Sequence, residues 1–201
     1  MIYMIKIQPY ILIITLTMSS CSGFDYFQAA PLIKNSLMGY KDINISEEFY
    51  DQQEYSFAKI KVGRSSPVIL SLAFIKDGIY EWVSADEERI YTLNGKIIKT
   101  VGLDYNLNFL TGKNLPEFND LPVSQSRLVE LTNPSAMITQ TAYIYEDLNA
   151  GIIYEDVKSS LLNWSYTNTY EIDLDSGLVK RSIQKIHPYL ADFDIEFFYK
   201  F

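Results

Sequence analysis

The one thiol in this 201-residue chain, Cys21, stands where chemistry can be done on it. It follows the run ILIITLTMSS at positions 11–20, and Lys6 is the only charge among the first twenty residues. A basic start, a short apolar stretch and small residues at the cut mark a secretory leader. The uncharged run from Tyr10 to Met18 is nine residues, about 13 Å of helix at ~1.5 Å per residue. A membrane span needs about 20 residues, so a permanent transmembrane anchor is not expected. Met18-Ser19-Ser20-Cys21 resembles the lipobox of bacterial lipoproteins, with Met18 in place of the usual leucine. The chemistry expected is acylation at Cys21, which becomes the mature N-terminus. Each buried CH₂ of a fatty (palmitate-type) chain contributes ~0.8 kcal/mol, and stable anchoring takes more than one chain. The alternative is a plain secretory leader followed by a free thiol. It is disfavoured because a lone cysteine in an exported protein has no partner in its own chain. Ser22, where aspartate would favour inner-membrane retention, points to the outer membrane.

The other reactive residue types form no convincing constellation. His187 is the sole histidine and precedes Pro188. Any Ser-His-Asp arrangement would have to use it, yet no Gly-x-Ser-x-Gly elbow supplies a nucleophile. A histidine metal site would lack companions. Asp173, Asp175 and Gly177 make a fragment of an acidic loop. A calcium site needs further oxygen ligands at set spacing, and turn chemistry accounts better for the fragment. With 25 acidic residues some carboxylate pair always exists, so a two-acid glycosidase centre cannot be read from spacing. No phosphate-cradling glycine loop is present. Trp82 and Trp164 could stack on sugar rings or contact a partner, although core placement suits an indole better. No enzyme activity, cofactor or metal is expected.

The elements that must carry these residues are mostly strands. Residues 1–20 form the leader, 21–30 a tether, and 31–201 a single β-rich periplasmic domain. Past the leader there remain 16 basic against 25 acidic residues, a charge of −9. Such a surface excludes nucleic acid by bulk electrostatics and disfavours anionic polymers. With no second cysteine, stability rests on burial and backbone hydrogen bonds. The 16 Tyr and 11 Phe are first a packing signal. Pro31 to Met38 reads as a short helix closed by Gly39, and residues 40–53 as polar and irregular. Alternation begins near Glu54, and residues 67–76 are nearly all apolar, as in a central strand. Asp77-Gly78 and Asn94-Gly95 each separate two apolar runs and predict type I′ hairpins. A third hairpin lies at residues 174–177. Residues 103–124 read as a long irregular excursion, which is either functional or hides an element. The expectation is a mainly β fold: a bent antiparallel sheet of about ten strands, a sandwich or a partly closed barrel, with a short N-terminal helix.

Three blocks resemble the YjbF/GfcB lipoprotein family. Leu70-Ser71-Leu72-Ala73-Phe74 is followed by Trp82-Val83-Ser84-Ala85-Asp86, then by Asn94-Gly95-Lys96-Ile97-Ile98-Lys99-Thr100-Val101-Gly102-Leu103. Near the C-terminus, Asn168 to Tyr170, Asp173, Gly177-Leu178-Val179, Arg181-Ser182, Gln184 and Pro188 fit the same pattern. Glu171 stands where the family usually has tryptophan, and the terminal Tyr199-Lys200-Phe201 departs from its common Lys-Pro ending. The resemblance implies a periplasm-facing outer-membrane lipoprotein of group 4 capsule or exopolysaccharide export. Its implied partners are the membrane, through the lipid, an outer-membrane β-barrel or other proteins of the export system, and the polysaccharide itself. It carries over no catalytic residue. Two rivals remain: a carbohydrate-active enzyme using paired carboxylates, which needs a cleft with two acids about 5–9.5 Å apart, and a chaperone-like assembly lipoprotein, which needs a large exposed apolar patch.

Overall fold

Among the described residues twelve strands follow one another, and each pairs antiparallel with its sequence neighbours. The computed structural model describes residues 44–116, 120–147, 150–160 and 163–200. The leader, Cys21, the tether and the helix expected at 31–38 lie outside them. The strands are β1 (Phe57–Val62), β2 (Val68–Lys76), β3 (Ile79–Val83), β4 (Arg89–Leu93), β5 (Lys96–Val101) and β6 (Leu107–Phe109). They continue as β7 (Val123–Leu131), β8 (Ala136–Asp147), β9 (Ile152–Ser159), β10 (Ser165–Ile172), β11 (Val179–Gln184) and β12 (Phe193–Phe198). The last strand returns to the first, with Ala58 opposite Phe197 and Ile60 opposite Ile195. That pairing closes a barrel and leaves no strand edge. The count exceeds the ten expected, partly because the excursion contains β6.

The alternation that defines strands also defines inside and outside. On β8 the inward residues Ile138, Ala142 and Ile144 are buried while Thr139 and Thr141 are exposed. Apolar side chains therefore point in and polar ones out, the reverse of a transmembrane barrel. About eight strands give an interior just filled by side chains; twelve would leave a lumen unless the walls approached each other. Here they do. A Cβ placed on Gly95, in the β4–β5 turn, would lie 2.5 Å from Val179 Cβ on β11. Gln184 of β11 donates to Gly95 O at 2.8 Å and accepts from the Ile97 amide at 2.8 Å, tying the walls together.

Both dipeptide turns expected from sequence are present, with positive φ at Asp77 and Gly78 and at Asn94 and Gly95. Residues 40–53, read as irregular, instead hold the one described helix, α1 (Glu47–Gln52). Ser46 caps it by accepting from the Phe49 amide at 3.1 Å, and Glu47 and Glu48 complement its N-terminal dipole. Six residues cannot hold a helix alone. Outward-pointing rings on the barrel hold it: Phe49 meets Phe57 edge-on at 5.6 Å, and the Tyr50 hydroxyl donates to Tyr199 O at 2.8 Å. This explains why Phe57, on the outer face of β1, is only 2% exposed. β2 differs from its expectation as well. It is paired on both sides, as a central strand would be, but Val68, Phe74 and Ile75 are exposed.

Candidate functional site

At the centre of the barrel sits a carboxylate that the alternation of β9 aims inward. Glu155 lies between Ile153 and Val157, all three buried. Its side chain accepts four hydrogen bonds: Lys96 Nζ at 2.9 Å and Arg127 Nη1 on Oε1, Asn168 Nδ2 at 2.7 Å and the Tyr170 hydroxyl at 3.2 Å on Oε2. The same period-2 logic places the donors. Arg127 shares the inner face of β7 with Val129 and Leu131, and Asn168 and Tyr170 share that of β10 with Ile172. Arg127 also donates through Nε to Gln140 Oε1 at 2.8 Å and through Nη2 to the Tyr166 hydroxyl at 3.3 Å. The face of Phe109, in β6, covers both cations, with Lys96 Nζ at 4.9 Å and the Arg127 guanidinium at 4.7 Å from the ring centre. The excursion thus supplies a lid to the cluster. Gly112 closes it, because a Cβ there would stand 2.6 Å from Arg127 Cβ.

Two cations share one carboxylate, and the electrostatics follow from that imbalance. Burial disfavours the charge on Glu155, but Lys96 and Arg127 overcome it and hold the carboxyl down at about 2. Burial dominates for Lys96 and lowers it to about 8, although Glu155 pulls the other way. Arg127 is buried too, yet the facing carboxylate more than offsets the loss of solvent and raises it. Burial pushes the Tyr166 phenol up to about 12, and the Tyr170 phenol rises for the same reason. Glu155 is therefore a fixed anion whose lone pairs are occupied by its own barrel. An acid used in catalysis needs a raised pKa and access to substrate; Glu155 has neither.

Above the cluster the barrel opens in a pocket of about 380 Å³, lined by Tyr80, Tyr199, Leu115, Ile153 and the turns at Asn94-Gly95 and Gly177-Leu178. Among the described residues no carboxylate lines it. A second apolar pocket of about 320 Å³ opens at the other end, lined by residues including Ile60, Leu70, Glu88, Asp104 and Phe193. Among the described residues, no group of three or more His, Cys, Asp or Glu is placed to hold a metal ion.

The sequence candidates are not brought together. Trp82 is wholly buried, donates Nε1–H to Thr92 Oγ1 at 2.8 Å and packs 5.5 Å from the Phe197 ring. It offers no face to a ligand and is a core residue. Trp164 is half-buried, packs against Tyr166 with ring centres 4.6 Å apart, and lines an apolar cavity of about 40 Å³ beside His187. That space is too small for a sugar ring. His187 is buried, its Nδ1 accepts from the Tyr189 amide at 3.3 Å, and burial lowers its pKa. Asp173 Oδ1 accepts from the Asp175 amide and from the amide and hydroxyl of Ser176, which makes it the organiser of the β10–β11 turn. The Lys96–Arg127–Glu155 cluster was missed from sequence. Its signal is a charge at an inward position of an alternating strand, visible in Ile153-Glu155-Val157.

Comparison with known proteins agrees with this architecture. A family model described as group 4 capsule polysaccharide lipoprotein gfcB, YjbF matches residues 32–143. The uncharacterized lipoprotein YjbF of Escherichia coli (strain K12) is 22% identical over 177 residues, covering 86% of this chain and 76% of that relative. The uncharacterized lipoprotein GfcB of the same strain is 23% identical over 188 residues, covering 85% of each chain. The crystal structure of the hypothetical lipoprotein YmcC from Escherichia coli (K12) superposes with a TM-score of 0.68 at 19% identity, over 91% of this chain and 98% of that one. It shares the fold. The family model spans more than half of the sequence, and this chain belongs to the YjbF/GfcB family of group 4 capsule polysaccharide lipoproteins.

Proposed function

We propose that the protein is a lipid-anchored accessory of capsule or exopolysaccharide secretion, held by acyl chains on Cys21 at the periplasmic face of the outer membrane. It acts by binding and scaffolding rather than by catalysis. The observation that carries this is the saturation of Glu155. The buried carboxylate, held down at about 2, spends its hydrogen-bonding capacity on Lys96, Arg127, Asn168 and Tyr170. The cluster stiffens the body, and function falls to the surface. Partners of this surface are an outer-membrane β-barrel protein and other proteins of the export system. The β2–β3 hairpin supports a protein partner, since Phe74 is 59% and Ile75 49% exposed around the Asp77-Gly78 turn. The same patch accommodates a chaperone-like role in assembling such a partner. Deleting the gene should lower surface polysaccharide, and a plasmid copy should restore it. Normal export in a clean deletion would overturn the role.

A further inference from the structure

The outer face of β8 and β9 breaks the rule that its own strands follow. Thr139 and Thr141 occupy outward positions, as water-facing residues should, but the next two outward positions on β8 are Tyr143 and Tyr145. Across the register, Tyr145 faces Tyr154 and Tyr143 faces Asp156. The three rings form a ladder, with centroids 5.6 Å apart between Tyr143 and Tyr145 and 5.3 Å apart between Tyr145 and Tyr154. They line a groove of about 840 Å³ walled by Leu121 and Pro122.

Cross-strand packing accounts for Tyr145 against Tyr154. It does not account for Tyr143, which ends the ladder 46% exposed. Nor does it account for the acceptors. Asp156 takes the Thr167 hydroxyl at 2.6 Å, and loss of solvent first, then Asp156, raise the pKa of the Tyr145 phenol. Glu146, in the same lining, keeps Oε2 buried without a hydrogen-bond partner among the described residues. Buried acceptors are as a rule partnered by protein or ordered water, and the described residues supply no donor for this one. Aromatic faces meet the C–H faces of pyranose rings, and carboxylates accept from sugar hydroxyl or ammonium groups. Among the described residues no Lys or Arg lines the groove, and its carboxylates repel a polyanion.

We infer that this groove binds a neutral or amino-bearing polysaccharide, with Tyr143 as its stacking platform and Glu146 and Asp156 as acceptors. The inference rests on the polysaccharide role proposed above and gives it a site. It moves sugar stacking from the two tryptophans to the tyrosines.

The test titrates the full mature protein with cellohexaose, with the hexamer of chitosan, and with a hexauronate from alginate. At least one of the first two should bind, and the hexauronate should not. Tyr143→Ala should weaken binding by at least about tenfold, equivalent to ~1.4 kcal/mol, with the thermal midpoint unchanged. Met137→Ala, an outward change on the same strand at a position 63% exposed, should bind as wild type. Failure of both hexamers to bind, wild-type affinity in Tyr143→Ala, or equal binding of the hexauronate would each overturn the groove. In cells the two proposals separate. Polysaccharide lost on deletion but normal in Tyr143→Ala removes the groove and keeps the role, whereas normal export on deletion removes the role.

Discussion

Changing Glu155 to Gln removes the negative charge from the barrel centre and turns one acceptor into a donor that faces donors. The Lys96 and Glu155 side chains are 1% and 0% exposed, and Arg127 is as deeply buried. Water cannot take over the pairing. Breaking a buried ion pair by removing one partner costs about 3–5 kcal/mol, because the other charge stays buried. For a domain of this size each kcal/mol moves the midpoint by about 2–4 °C, so the thermal midpoint of Glu155→Gln should fall by about 6–20 °C. Calorimetry on purified protein reads this directly. The triple variant Lys96→Met, Arg127→Met, Glu155→Leu should recover much of the loss, since apolar replacement of a whole buried cluster is often neutral or better. A fall of less than about 2 °C in Glu155→Gln would refute the account, because it would mean the cluster is hydrated or the cations escape it.

Other outcomes follow from the same geometry. The Glu155 carboxyl is lowered in the folded state from 4.5 to about 2; its stabilising contribution should be complete above about pH 4.5 and fade as pH falls toward 2, a loss absent from Glu155→Gln in acid titrations of stability. Lys96 is lowered from 10.5 to about 8, so the unfolded chain binds the extra proton between those values. Stability of wild type relative to Lys96→Met should therefore rise with pH across that window in urea titrations. Gly95→Ala meets both a φ of +74° and Val179, whereas Gly177→Ala meets a φ of +71° and open space. Gly177→Ala should cost ~1–2 kcal/mol and Gly95→Ala clearly more, read from urea midpoints. Trp82→Ala should lose roughly 3–5 kcal/mol in the same assay, and an unchanged midpoint would mean that the indole is not core.

Local chemistry was legible in the sequence and long-range closure was not. Asp77-Gly78 and Asn94-Gly95 announced their turns because few other residues accept positive φ in succession. β6 escaped because Leu107-Asn108-Phe109 is too short to show a period. The helix α1 escaped because its sequence, EEFYDQ, has only Phe49 and Tyr50 to bury, and the barrel surface that receives them is built from Phe57 and Phe198 far along the chain. The choice between sandwich and barrel depended on β1 meeting β12, a contact no local pattern encodes. The apolar run of β2 suggested burial, but its bulge near Leu72 and its projecting hairpin leave Phe74 outside. The ion cluster joins residues 59 and 28 positions apart. Each charge could be seen on an inward face, but only the folded barrel shows that they meet. The family resemblance was readable in the blocks from Leu70 to Leu103, which lie inside the matched segment.

The proposed role requires a lipid on Cys21 to hold this body where polysaccharide export takes place. Surface polysaccharide on cells whose chromosomal copy carries Cys21→Ser tests this most directly. Export should be as poor as in the deletion while the folded protein remains detectable. Wild-type export from cells making only the unacylated protein would contradict it.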